Sequence, residues 1–162
     1  MGGATGNKTV QGIAALESEE YQQAKELFED AVRNHEEEML AYRGLGLAYM
    51  GLAQYEMAEQ AFEAAIDFAD ERQPENVQDL ELYLATVQYR MGDYEQTVDT
   101  CTGILEKSET GNADAHFLRG AGYLHEGQTE EARTDFDTAV KLAPEDYDLY
   151  LNIYECYRTM NI

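Results

Sequence analysis

The segment GGATGNKT, Gly2 to Thr9, holds the glycines, lysine and hydroxyl that a phosphate-cradling loop uses. Asn7 separates Gly6 from Lys8, however, and no strand precedes the run, so the backbone amides and the lysine are not presented in the order a phosphate needs. Gly44 with Gly46 and Gly120 with Gly122 make GxG pairs without the strand and third glycine of a dinucleotide site. His35, His116 and His125 are too dispersed for an HExxH zinc site, and Cys101 and Cys156 have no CxxC or His-Cys spacing around them. The two thiols read as free and buried. Asp67, Asp70, Glu71, Glu75 and Asp79 crowd one stretch but lack the alternation and central glycine of a calcium loop, so they read as a solvated charged loop. Asn7-Lys8-Thr9 is a glycosylation acceptor pattern, relevant only to a secreted eukaryotic chain. No nucleophile, base and orienting acid suggest themselves from order alone. No catalytic, cofactor-binding or metal-ligating residue is assigned, and the chain is not expected to be an enzyme.

The elements that would carry these residues are helices. With 2 prolines and 13 glycines in 162 residues, and abundant Glu, Ala, Leu and Gln, the composition favours long helices joined by short turns. At 44% apolar content the chain can bury a core. Its 33 acidic side chains against 11 Lys and Arg, a formal charge of -22, give a field that repels nucleic acid and anionic membranes. No run of eighteen apolar residues occurs, so no membrane-inserting segment is expected. An acidic surface attracts basic partners, but it serves equally as a solvated face and names no ligand.

Four segments repeat. EYQQAKELFEDAV from Glu20, QYEMAEQAFEAAI from Gln54, DYEQTVDTCTGIL from Asp93 and QTEEARTDFDTAV from Gln128 start 34, 39 and 35 residues apart. The extra residues lie in DERQPEN, Asp70 to Asn76. Within the segments, Ala24, Ala58, Thr97 and Ala132 share a place, followed by Phe28, Phe62, Cys101 and Phe136 and then by Ala31, Ala65, Ile104 and Ala139. Steps of three and four mark one helical face, with alanines that admit a neighbouring helix. A second helix precedes each of these, clearest in AYRGLGLAYMGL from Ala41 and AHFLRGAGYLHEG from Ala115. Gly46 and Gly120 would cost about 1 kcal/mol each in a helix interior relative to alanine, so their recurrence points to close helix contact. Gly92 and Gly127 read as helix stops, with Asp93 and Thr129 at the polar starts that follow.

On these residues the chain resembles the tetratricopeptide repeat family. Tyr42, Leu45, Gly46, Tyr49, Tyr55, Ala58, Phe62 and Ala65 in the second unit, and His116, Gly120, Tyr123, Ala132, Phe136, Ala139 and Pro144 in the fourth, match its pattern. Ala85, Gln88, Thr97 and Cys101 depart from it in the third. In the first, only Gly12 and Ala15 of the leading helix match clearly. The resemblance implies an all-α, right-handed superhelical solenoid of antiparallel helix pairs, four repeats plus one terminal helix. The expected organisation is a flexible leader over 1–6 and a single domain over 7–162, with units near 5–38, 39–76, 78–111 and 113–146 and the terminal helix over 147–160. His116 stands where the family places an aromatic ring and is read as structural. Tyr147, Tyr150, Tyr154 and Tyr157 of the last helix are expected to form core against the fourth unit. The absent partner of that helix leaves two readings beside simple capping, truncation or pairing with another copy.

A second stripe runs along the first helices. It reads Arg43, Leu47 and Met50, then Leu82, Thr86 and Tyr89 with Arg90, then Phe117, Ala121 and Leu124, then Leu151, Glu155 and Arg158. A helix apolar nearly all round is sandwiched or keeps a face for a ligand. The family resemblance places these residues on a concave groove, which makes the chain a scaffold for a peptide or protein segment with apolar anchors and an acidic group near the arginines. Thr9, Ile13, Gly44, Asp79 and Tyr83 stand where some relatives grip a terminal carboxylate, so that activity is not expected. Two other functions stay open: self-association through the tyrosine-rich last helix, and service as a regulatory segment of a larger, lipid-anchored protein. The compartment is undetermined between the cytoplasm and the outside of a membrane after loss of an export or anchor signal.

Overall fold

The computed structural model describes residues 7–161, so the expected leader over 1–6 lies outside the described residues. Nine helices and no strand occur among them. They fall into two compact units, one up to Val87 and one from Gln88.

The first unit contains α1 (Lys8–Glu17), α2 (Tyr21–Arg33), α3 (Glu38–Gly51), α4 (Tyr55–Phe68) and most of α5 (Pro74–Arg90). The three-and-four spacing read from the sequence is the spacing of burial. Ala24, Phe28 and Ala31 of α2, and Ala58, Phe62 and Ala65 of α4, are all inaccessible. Each fully buried phenylalanine contributes up to about 3 kcal/mol of transfer free energy. The glycines opposite make room for these rings. A Cβ on Gly46 would stand 2.6 Å from the Phe62 ring, one on Gly12 2.8 Å and one on Gly44 2.2 Å from the Phe28 ring. Phe62 also stacks on Tyr83 of α5, and Tyr42 stacks on Phe68.

The second unit holds the end of α5 with α6 (Tyr94–Lys107), α7 (Ala113–His125), α8 (Thr129–Leu142) and α9 (Tyr147–Thr159). Its core is built on Leu124, Ala132 and Phe136, with Phe117, Tyr123, Ile153, Cys156, Tyr157 and Met160 packed around them. Gly120 again faces a ring, its Cβ position 2.8 Å from Phe136. Gln88, polar at a place that holds Tyr49 and Tyr123 in the second and fourth repeats, accepts a 2.7 Å hydrogen bond from the Thr100 hydroxyl. Cys101 is buried, which pushes its thiol up to about 12, while Cys156 is half-buried.

Turns of one design follow α1, α3, α5 and α7. Glu19, Ala53, Gly92 and Gly127 all take positive φ, and the next residue's N–H reaches back to Ala15, Tyr49, Gln88 and Tyr123 respectively. This is a left-handed helix stop in which glycine is unstrained and Glu19 and Ala53 are not. The expected stops at Gly92 and Gly127 are therefore present, but Asp93 caps differently. Its side chain makes no capping bond, and its carbonyl accepts from the amide and hydroxyl of Thr97.

Two expectations need correction. Asp67 still belongs to α4, and the acidic stretch is loop only over 69–73, where Asp70 holds Arg72 through backbone and side chain. From Pro74 it is helix, because proline has no N–H to lose at a first helical position, and α5 is lengthened to 17 residues. The tyrosines of α9 do not all join the core. Tyr157 lies edge-on to Phe136, but Tyr147, Tyr150 and Tyr154 are 76%, 41% and 61% exposed. The helix is rotated so that Leu149, Ile153, Cys156 and Tyr157 meet the unit.

Candidate functional site

In the first unit the second stripe is half-buried. Arg43, Leu47 and Met50 of α3 and Leu82 and Thr86 of α5 keep partial access to solvent. Arg43 places its guanidinium 5.8 Å from the centre of the Tyr83 ring, a cation–π contact that orients the charge without neutralising it. Thr86 turns its hydroxyl back to the Leu82 carbonyl at 2.8 Å and presents its methyl group instead. The register adds a residue that sequence reasoning left out of the stripe. Gly12 and Gly46 occupy equivalent places against Phe28 and Phe62, so Ile13 of α1 is the counterpart of Leu47, and it is 41% exposed. The same 34-residue offset that relates the two glycines was the available signal. Of the residues placed at the carboxylate-gripping positions, Thr9 is buried and Gly44 is covered by Phe28.

In the second unit the stripe divides. Ala121 and Leu124 are each 1% exposed, because α7 is enclosed on both sides, so they support the face and do not belong to its surface. Phe117 is half-buried against Phe136. Tyr89 is drawn into a small aromatic cluster: its hydroxyl stands 3.2 Å from His125 Nε2, and His125 stacks on Tyr94 with 4.1 Å between centres. Burial raises the Tyr89 phenol to about 12 and lowers His125, which keeps both neutral near pH 7, so the two share a hydrogen bond between uncharged groups. Arg90 and Leu151 are exposed. Glu155 and Arg158 pair with each other at 2.7 Å, and that contact holds the Glu155 carboxyl low. Of the three arginines expected to offer positive charge, Arg158 is therefore already matched.

A buried ionic cluster was missed by sequence reasoning. Asp135 of α8, 2% exposed, accepts two 2.8 Å bonds from Arg119 of α7, through Nε and Nη2, and lies 2.9 Å from His116 Nδ1. Arg119 also donates to Thr102. Bonding to Asp135 raises the guanidinium's pKa further and fixes its charge. The signal was a coincidence of two replacements: in the second of the four repeats the places of Arg119 and Asp135 hold Leu45 and Ala61. The Asp135 carboxylate is turned inward, so the cluster joins α7 to α8 while only the edges of His116 and Arg119 reach solvent.

The sequence profile described as tetratricopeptide repeat matches residues 9–75, and a second profile of the same description matches 113–146. One curated relative, the peptidyl-prolyl cis-trans isomerase PASTICCINO1 of Arabidopsis thaliana, is 30% identical over 63 residues, which are 39% of this chain and only 10% of that protein. Among solved structures, YrrB, described as a TPR protein with an unusual peptide-binding site, superposes with a TM-score of 0.71 at 21% identity, covering 95% of this chain and 76% of its own. A MamA structure from Desulfovibrio magneticus RS-1 superposes with a TM-score of 0.77 at 17% identity over 98% of this chain and 88% of its own. At such identities the likeness is one of fold, an all-α helical-repeat solenoid of the kind that typically serves as a non-enzymatic scaffold for protein interactions. With its repeated glycine–phenylalanine contacts and two matching profiles, the chain belongs to the tetratricopeptide repeat family.

Proposed function

We propose that this chain is a non-catalytic binding module that holds an extended or helical peptide segment on the second stripe of its first helices. The observation that carries the reading is the pair Ile13 and Leu47, equivalent residues on the contacting helices α1 and α3, neither of them consumed by the core. Arg43, steadied over Tyr83, gives that apolar strip a positively charged edge. An acidic group on the bound segment fits it. Met50, Leu82 and Thr86 belong to that surface in the first unit; within the second unit Arg90, Phe117 and Leu151 keep solvent access at the corresponding places, with Tyr89 and the Glu155–Arg158 pair, while Ala121 and Leu124 are buried. The peptide-binding description of YrrB is consistent with this use of the fold. The absence of catalysis is part of the proposal. It is supported by the Asp135, Arg119 and His116 cluster, whose buried carboxylate is already bonded to both of its neighbours.

The test is a selection from a random peptide library against the whole chain, followed by binding to a double variant, Ile13→Glu with Leu47→Glu. Peptides held on this face lose affinity by at least about tenfold, as expected when central apolar anchors are lost, while the circular dichroism of the variant stays helical. Selected peptides that bind the folded variant as tightly as the parent chain would refute the proposal.

A further inference from the structure

The exposed residues of α9 are not scattered. Tyr147, Tyr150, Leu151 and Tyr154 follow one another at intervals of three, one and three, the stripe by which one helix packs on another. In the repeat register Tyr154 stands at the place of Gly46 and Gly120. There a side chain would meet a phenylalanine ring of the following helix at under 3 Å. A tyrosine at that place rules out the close approach by which α4 seats on α3. The stripe is therefore built for an occupant that packs around bulky rings. Beside it, between α8 and α9, opens a cleft of about 380 Å³ lined by Phe136, Val140, Ile153 and Tyr157, with Tyr150, Asp137 and Lys141 at its edge.

Charge decides what covers this surface. The second unit carries fifteen acidic against six basic side chains. Of the cations, Arg119, Arg133 and Arg158 are already paired with Asp135, Glu130 and Glu155. Among the described residues, Asp137 at the cleft and Asp148 beside the stripe are held in no ion pair. A second copy of the chain would bring another formal charge of -22 against them. A cationic segment is drawn in.

We propose that the α8–α9 cleft and the tyrosine stripe of α9 form a second docking surface, which shares only Leu151 with the first-helix stripe and takes a basic amphipathic helix whose leucine or phenylalanine side chains enter the cleft. With 13 residues, α9 runs about 20 Å, enough to lie along three turns or more of such a helix.

The experiment uses the whole chain and two labelled synthetic helices, one of leucine and lysine and one of leucine and glutamate in the same pattern, with binding followed by fluorescence anisotropy at low and raised salt. The leucine–lysine helix binds and weakens with salt. Tyr150→Glu, and separately Tyr154→Ser, lower its affinity by about tenfold or more with helicity intact. The first of these adds negative charge, so its loss cannot be put down to weaker attraction. Ile13→Glu, in the first unit, leaves binding unchanged. Equal binding of both helices, retention of affinity in the two tyrosine variants, or an equal loss with Ile13→Glu overturns the proposal. So does sedimentation that shows a dimer of the parent chain which Tyr154→Ser dissociates, because a second copy would then be the occupant.

Discussion

Replacing Asp135 by alanine removes the acceptor of two Arg119 bonds and the partner of His116 at a site only 2% exposed. Breaking a buried ion pair from one side typically costs about 3–5 kcal/mol, because the remaining charge is stranded. Here the Arg119 side chain keeps 21% of its surface in water, so the expected loss is lower, about 2–4 kcal/mol. The second unit of the repeat shows what the same lattice holds without charge: Tyr42, Leu45 and Ala61 at the places of His116, Arg119 and Asp135. Tyr42 there stacks on Phe68, and Leu142 occupies the place of Phe68 in the fourth unit. The triple variant His116→Tyr, Arg119→Leu, Asp135→Ala is therefore expected to fall within about 1 kcal/mol of the parent chain or above it, since well-packed apolar replacements of buried ion clusters are neutral or stabilising. Urea unfolding at pH 7 reads both variants without the screening that guanidinium salt would add. The reasoning fails if the triple variant is as unstable as Asp135→Ala, which would mean that the lattice places are not interchangeable. It fails also if Asp135→Ala costs less than about 0.5 kcal/mol, the range of ordinary surface changes.

Two further outcomes follow from the same structure. Gly44→Ala puts a methyl group 2.2 Å from the inaccessible Phe28 ring; overpacking of about 1–3 kcal/mol against a helix-propensity gain of about 1 kcal/mol leaves a net loss of up to about 2 kcal/mol. Gly103→Ala, which meets nothing within 4 Å inside α6, should instead stabilise by about 0.8–1 kcal/mol, and equilibrium urea unfolding of the two variants tests the opposite signs. For His125, burial lowers the folded pKa below the ordinary value of about 6.5, so the folded chain binds fewer protons than the unfolded one. Its contribution is complete above about 6.5 and is lost as pH falls through the folded pKa. The stability difference between pH 7 and pH 5 should therefore shrink in His125→Gln relative to the parent, and an unchanged difference would count against the buried, neutral reading of this ring.

What the sequence makes legible here is the place of each residue in a repeating lattice, and what it hides is whether the neighbours that give the place its meaning are present. Ala24, Phe28 and Ala31 recur at the right spacing, and their burial followed from that spacing because a packed helix lies on either side of them. Tyr147, Tyr150 and Tyr154 occupy places of equal standing in the repeat, yet they face solvent among the described residues, since no later helix of the lattice covers them there. Ala121 and Leu124 failed as surface residues for the converse reason: their place is open in the first unit, where Leu47 and Met50 are half-exposed, and closed in the second. Glu75 and Asp79 were read as loop with the other acids, whereas Pro74 stands at a first helical position, where proline starts a helix and takes them into it. Arg119 and Asp135 escaped notice because charged residues taken singly look solvated; only as a pair replacing Leu45 and Ala61 do they announce a buried bond. In a repeat protein the residues that contradict their lattice place are thus the informative ones. Arg119 in place of a leucine marks a change in how the core is tied, and Tyr154 in place of a glycine marks a surface that the ordinary packing of the repeat cannot cover.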